Sequence, residues 1–86
     1  MKIFIGYLSL LATEQHLIDL FTAYGRVEAA YIPRNAAGAA RGFGYVIMAD
    51  DTLAEAAIHQ LNKSQFMGQY LTVSEAISSI GYTIHG

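Results

Sequence analysis

Cysteine is absent from the chain, which excludes a disulfide scaffold, a zinc site built on thiolates and thiol catalysis, and suits a reducing, cytoplasmic setting. Charge is scarce as well: 14% of residues are charged, against about 25% in an average domain. Five cations face seven anions for a net charge of -2, which argues against a protein that binds duplex DNA by blanket phosphate neutralisation. Any anion must be met by a few placed cations. Long apolar runs are missing too, since none approaches the roughly 20 residues needed to span a bilayer, so no membrane is expected. The opening "MKIFIGYLSLLATEQ" has one lysine, an apolar run broken by Gly6 and Tyr7, and no small-residue cleavage site, so it does not read as a signal peptide. His16, His59 and His85 are scattered singly without ligand spacing, so neither a metal nor another cofactor is expected.

What is present is apolar. Hydrophobic residues make up 53% of an 86-residue chain, enough for one small domain with some apolar surface left over. That surplus leaves room for a protein partner or a dimer.

"KIFIG" from Lys2 to Gly6 reads as a strand with Ile3 and Ile5 on one face and Lys2 and Phe4 on the other. Thr13 is a good N-cap, Leu17, Leu20, Phe21 and Tyr24 follow at helical spacing, and Gly25 has the character of a helix-ending residue. Val27 to Ile32 predicts a second strand, closed by Pro33, which cannot donate to a ladder. The loop "RNAAGAA" depends on Asn35 and Gly38.

Arg41 to Met48, "RGFGYVIM", is a third strand. Asp50, Asp51 and Thr52 open a second helix, in which Thr52 and Glu55 have capping-box spacing and Ala54, Ala57, Ile58 and Leu61 form the apolar stripe. "SQFMG" is a turn or short hairpin, and Gln69 to Ser74 predicts a fourth strand with Leu71 and Val73 inward. The domain then spans residues 1–76, and the tail 77–86 either packs on the sheet or extends freely. Strand, helix, strand, strand, helix, strand is the βαββαβ order of an α+β, ferredoxin-like split βαβ sandwich. Two helices then cover one face of a four-stranded antiparallel sheet and leave the other open.

That open face carries unusual side chains. Alternation sends Arg41, Phe43, Tyr45 and Ile47 to one side of the third strand and Gly42, Gly44, Val46 and Met48 to the other. The first and third strands are neighbours in this topology, so Phe4 lies beside Phe43 and Tyr45. Three rings on an open sheet can carry unstacked bases, each worth about 1–3 kcal/mol. Arg41 and Lys2 share the face and can reach the flanking phosphates. The small residues Gly42 and Gly44 let a helix and a loop approach closely from the other side.

With these residues in place, the sequence resembles the RNA recognition motif family, of the compact single-domain kind found in bacteria. The resemblance covers about residues 1–76. The family octamer, K/R-G-F/Y-G/A-F/Y-V-x-F/Y, is matched by Arg41-Gly42-Phe43-Gly44-Tyr45-Val46-Ile47-Met48, with methionine in the last position. Its hexamer is matched by Ile3-Phe4-Ile5-Gly6-Tyr7-Leu8, with Tyr7 where asparagine is usual. The resemblance implies that Phe4 and Tyr45 stack on successive bases, that Phe43 contacts a sugar or lies between two of them, and that Arg41 pairs with phosphate. It also implies that Tyr31, Thr72 and Ser74 border the platform and that the backbone from Ser74 to Ala76 meets a base edge. Arg34 is the one cation of an otherwise uncharged loop.

The implied function is a non-enzymatic module for single-stranded RNA, with single-stranded DNA as a second candidate. A protein-interaction module, docking through the sheet or through apolar residues such as Leu11, Ile18 and Leu53 on the helical side, is the alternative. An acyl phosphatase on the same fold would need an arginine-bearing phosphate loop, which "GYLSLLATEQ" lacks. A dinucleotide site is excluded because Ile47 stands where the third glycine of G-x-G-x-x-G belongs.

Overall fold

The computed structural model describes residues 1–77. Its elements are β1 (Lys2–Gly6), α1 (Glu14–Thr22), β2 (Val27–Tyr31), β3 (Phe43–Met48), α2 (Asp51–Leu61), a hairpin of β4 (Gln65–Phe66) and β5 (Gln69–Tyr70), and β6 (Thr72–Glu75). The main sheet is antiparallel with order β2-β3-β1-β6, as the βαββαβ pattern requires. Leu17 and Phe21 of α1 and Ala54, Ala57 and Leu61 of α2 are buried in one core with Ile3, Ile5, Val46, Met48 and Val73 from the sheet. Period-2 alternation in the strands and period-3.6 spacing in the helices therefore meet across a single layer boundary.

Thr13 caps α1 as its residue type predicts, accepting a hydrogen bond from the His16 amide at 3.3 Å. His16 completes a capping box by accepting from the Thr13 amide through Nδ1 at 2.9 Å, a task that falls to glutamate or glutamine in most such boxes. The helix ends at Thr22, before Gly25, whose backbone is not left-handed. Gly25 serves packing instead: a Cβ there would lie 2.9 Å from Leu53 Cδ1 and 3.1 Å from Met48 Cε.

The expected Thr52–Glu55 box at α2 gives way to Asp50, which takes the N-cap position and accepts from the Leu53 amide at 3.0 Å. Aspartate is the stronger cap and comes first in the chain. Asn35 does organise the β2–β3 loop, its Oδ1 accepting from the amides of Ala37 and Ala39, and Gly38 sits there at φ +85°.

The strand expected over 69–74 is divided at Leu71. Leu71 exchanges backbone hydrogen bonds with Lys63 and Ser64, so Gln69–Tyr70 pairs with β4 while Thr72–Glu75 pairs with β1. Asn62 covers the outer edge of β6, its Oδ1 accepting from the Val73 amide at 3.0 Å. Leu71 and Val73 point inward as expected. Met67 and Gly68, both at positive φ, close the hairpin as a type I′ turn would. Among the described residues no helix is long and apolar enough to cross a membrane.

Candidate nucleic-acid interface

Residues directly opposite one another across paired antiparallel strands share a sheet face, so the register maps the helix-free surface row by row. One row runs Ser74, Phe4, Tyr45, Tyr31 across β6, β1, β3 and β2. The next towards the β1–α1 loop runs Thr72, Gly6, Phe43, and the one on the other side contains Lys2, Ile47 and Ala29.

Phe4, Phe43 and Tyr45 form a triangle of rings. Their centroids are 6.0 Å apart for Phe4–Phe43, 5.8 Å for Phe4–Tyr45 and 5.9 Å for Phe43–Tyr45, with interplanar angles of 31°, 62° and 87°. These separations lie within the range of favourable aromatic pairs, so the rings brace one another while staying half-buried. The cations lie on the rings. Lys2 Nζ is 4.5 Å from the Tyr45 centroid and Arg41 Cζ is 5.3 Å from that of Phe43, both within cation–π range.

Glycine shapes this surface twice. Gly6 points to the same side as Phe4, and a Cβ there would come within 2.9 Å of Phe4 Cε2, so its bareness lets the ring lie over the backbone. Gly44 faces the helices, where a Cβ would meet the Tyr31 carbonyl oxygen at 2.8 Å and Leu17 Cδ1 at 3.0 Å. Close approach is the expectation for Gly42 as well, yet a Cβ there would meet only Leu10 Cδ2 and the Leu8 carbonyl oxygen, both at an ordinary contact distance of 3.8 Å. Its requirement is conformational, at φ +87°, and its carbonyl accepts from the Leu8 amide at 2.8 Å, tying β3 to the loop that leaves β1.

The structure thus brings together Lys2, Phe4, Arg41, Phe43 and Tyr45, with Tyr31, Ser74 and Thr72 at the border in register. It does not bring Arg34 to them. Arg34 Nη2 lies 3.5 Å from Glu14 Oε1 at the start of α1, so its charge is directed to the helix.

Sequence reading passed over Gly6 as the seat of the Phe4 ring, although it shares the parity of Lys2 and Phe4. Also passed over was a groove of about 470 Å³ at the edge of the platform, where Tyr7, Leu10 and Gln69 join Phe4, Phe43 and Thr72. A second groove, about 270 Å³, lies at the other end against Ser74, Glu75, Ala76 and Ile77. The expectation for the tail concerns residues that, from Ser78 onward, lie outside those described.

Tyr7 holds a left-handed backbone, φ +54°, at the position where the hexamer resemblance calls for asparagine. Asparagine enters that region several-fold more often than other non-glycine residues, and a misfit there costs on the order of 1–3 kcal/mol. Tyr7→Asn is therefore expected to raise unfolding free energy by about 1 kcal/mol, read as a higher urea midpoint at constant m-value. An unchanged or lower midpoint contradicts this.

Other proteins share these features. A family model described as the RNA recognition motif matches residues 3–72. The putative RNA-binding protein RbpD of Nostoc sp. is 39% identical over 77 residues, 88% of this chain and 82% of that protein. A polyadenylate-binding protein of Chaetomium globosum is 38% identical over 75 residues, covering 87% of this chain but only 10% of that much longer protein. Among solved structures, RNA-binding protein PG1 superposes with a TM-score of 0.88 at 37% identity, over 91% of this chain and 95% of that one. The Sex-lethal protein in complex with RNA gives 0.86 at 26% identity, over 91% of this chain and 47% of that one. With the octamer and hexamer facing each other on paired central strands, and with family, relatives and fold in agreement, this chain belongs to the RNA recognition motif family.

Proposed function

We propose that the chain is a single-stranded RNA-binding module that stacks bases on Phe4 and Tyr45, seats a sugar against Phe43, and meets phosphates with Lys2 and Arg41. The observation that carries this reading is the triangle of rings on the uncovered sheet face, with a cation on two of its three members. Membership of the family, and relatives named for RNA binding, point the same way. The module acts by binding, without catalysis, and works in the cytoplasm.

The cation–π contacts give the encounter a definite chemistry. A base that stacks on Tyr45 takes the ring face that Lys2 now covers, and the freed ammonium swings to the neighbouring phosphate. One cation–π contact, about 0.5–1 kcal/mol when exposed, is exchanged for a stack of about 1–3 kcal/mol and an ion pair. Stacking alone reads no sugar, so single-stranded DNA is expected to bind by the same rings, and the RNA-to-DNA affinity ratio measures contacts to the 2′-hydroxyl.

An NMR titration with a randomised short RNA tests the surface: shifts should concentrate at Phe4, Arg41, Phe43 and Tyr45, and a silent sheet in a folded protein would overturn the proposal. The two platform cations also set the salt dependence. At about 0.7 per phosphate contact on a single strand, the slope of log K against log salt should be about -1.4, and Lys2→Met should reduce it by about half. A slope that Lys2→Met leaves unchanged would remove Lys2 from the phosphate contacts.

A further inference from the structure

The platform does not end at Phe43. The groove beside it is lined by Phe4 and Phe43 of the platform, by Tyr7 and Leu10 from the loop after β1, and by Gln69 of β5 and Thr72 of β6. Its volume, about 470 Å³, lies within the roughly 300–1,000 Å³ range of ordinary ligand clefts. Tyr7 and Leu10 are 72% and 66% exposed, an outlay of apolar surface that a small domain does not need for its core.

Resting on the reading above, we propose that this groove is an additional nucleobase subsite, in which the strand running off the rings lays its next base against Tyr7 and Leu10 with its edge towards Gln69.

Three features of the groove favour a base over other occupants. It is continuous with the stacking platform, sharing Phe4, Phe43 and Arg41 with it, so a strand held there passes its mouth. Its only charged lining residue among those described is Arg41, whereas the groove at the opposite end includes Glu75. A polyanion is therefore drawn to the Tyr7 end, in a protein whose overall charge would repel it. Finally, the walls combine an aromatic ring and an aliphatic side chain with one exposed primary amide, and a glutamine amide offers the donor and acceptor pair that matches the adenine N6/N7 edge. The left-handed backbone at Tyr7, strained for a tyrosine, belongs to a residue that lines the groove.

The test is a length series of oligonucleotides, from two to six nucleotides, against the intact chain, Tyr7→Asn and Gln69→Ala. In the intact chain, affinity should rise by about tenfold on adding the nucleotide that reaches the groove, with adenine preferred there. Tyr7→Asn, which is expected to fold better than the parent, should lose most of that gain while binding the shortest platform-filling oligonucleotide as before. Gln69→Ala should keep the gain and lose the adenine preference. Retention of the full length gain in Tyr7→Asn would overturn the subsite while leaving the platform standing, and so would groove resonances that shift with an apolar peptide but never with the longer oligonucleotide. Failure of the chain to bind even the shortest oligonucleotides would instead refute the platform reading itself.

Discussion

Phe4→Ala combined with Tyr45→Ala is expected to lower affinity for a short single-stranded RNA by at least about thirtyfold, and to leave binding near background. Each ring is assigned one stacked base, and removal of a base–aromatic stack costs about 1–3 kcal/mol, so two losses amount to about 2–6 kcal/mol. Because the three rings brace one another at about 6 Å, the effects should not simply add: once Phe4 is gone, Tyr45 and Phe43 lose a neighbour that fixes their orientation.

The rings are half-buried, so alanine also removes packing on the sheet surface. Phe4→Leu with Tyr45→Leu serves as the control, because leucine keeps apolar cover over Gly6 and the strand while offering no π-face. If the leucine pair stays folded and binds RNA within threefold of the parent, stacking is not the source of affinity. Tyr31→Ala, at the end of the same row but on the edge strand, should cost much less than either central ring.

The elements that the sequence announced most clearly are those where one local rule had no competitor. Alternation in "KIFIG" and "FGYVIM" fixed which side chains face the helices, and Leu17 and Phe21 could bury only one way. The rules failed where two devices competed for the same few residues. Asp50 displaced Thr52 as the cap of α2, and Leu71 left its strand to hydrogen-bond with the backbone of Lys63 and Ser64. Contacts between distant segments were beyond local reading altogether. Nothing in "YGRV" indicates that Gly25 makes way for Leu53, and nothing in "PRNAAG" indicates that Glu14 holds Arg34.

The platform itself was legible because parity and spacing survive folding. The groove beside it was not, because it is enclosed by a loop, a strand end and a hairpin whose mutual approach depends on the Leu8–Gly42 hydrogen bond and on the type of turn at Met67 and Gly68.

The two glycines of "RGFGY" make a sharper case, because they look alike in sequence and answer to different physics. Gly44→Ala places a methyl group 2.8 Å from the Tyr31 carbonyl oxygen and 3.0 Å from Leu17 Cδ1. Neither neighbour can yield easily, since one is backbone of the adjacent strand and the other is a fully buried side chain of α1. Overpacking of this kind costs about 1–3 kcal/mol, and Gly44→Val should cost more, out of a total that for a domain of this size is on the order of 4–13 kcal/mol.

Gly42→Ala meets no atom closer than 3.8 Å and should lose about 1 kcal/mol through its left-handed backbone alone. Side-chain size therefore separates the two positions. Going from alanine to valine should deepen the loss in urea denaturation markedly at 44, by pushing α1 and β2 away from β3, and should do so at 42 only to the extent that a β-branched residue resists positive φ. Equal tolerance of alanine at the two positions would show that the space beneath Tyr45 is not closed. Their binding effects should divide the same way: Gly44→Ala shifts β3 and with it the neighbouring rings Phe43 and Tyr45, whereas Gly42→Ala acts on Arg41 and the loop and should chiefly alter the salt dependence.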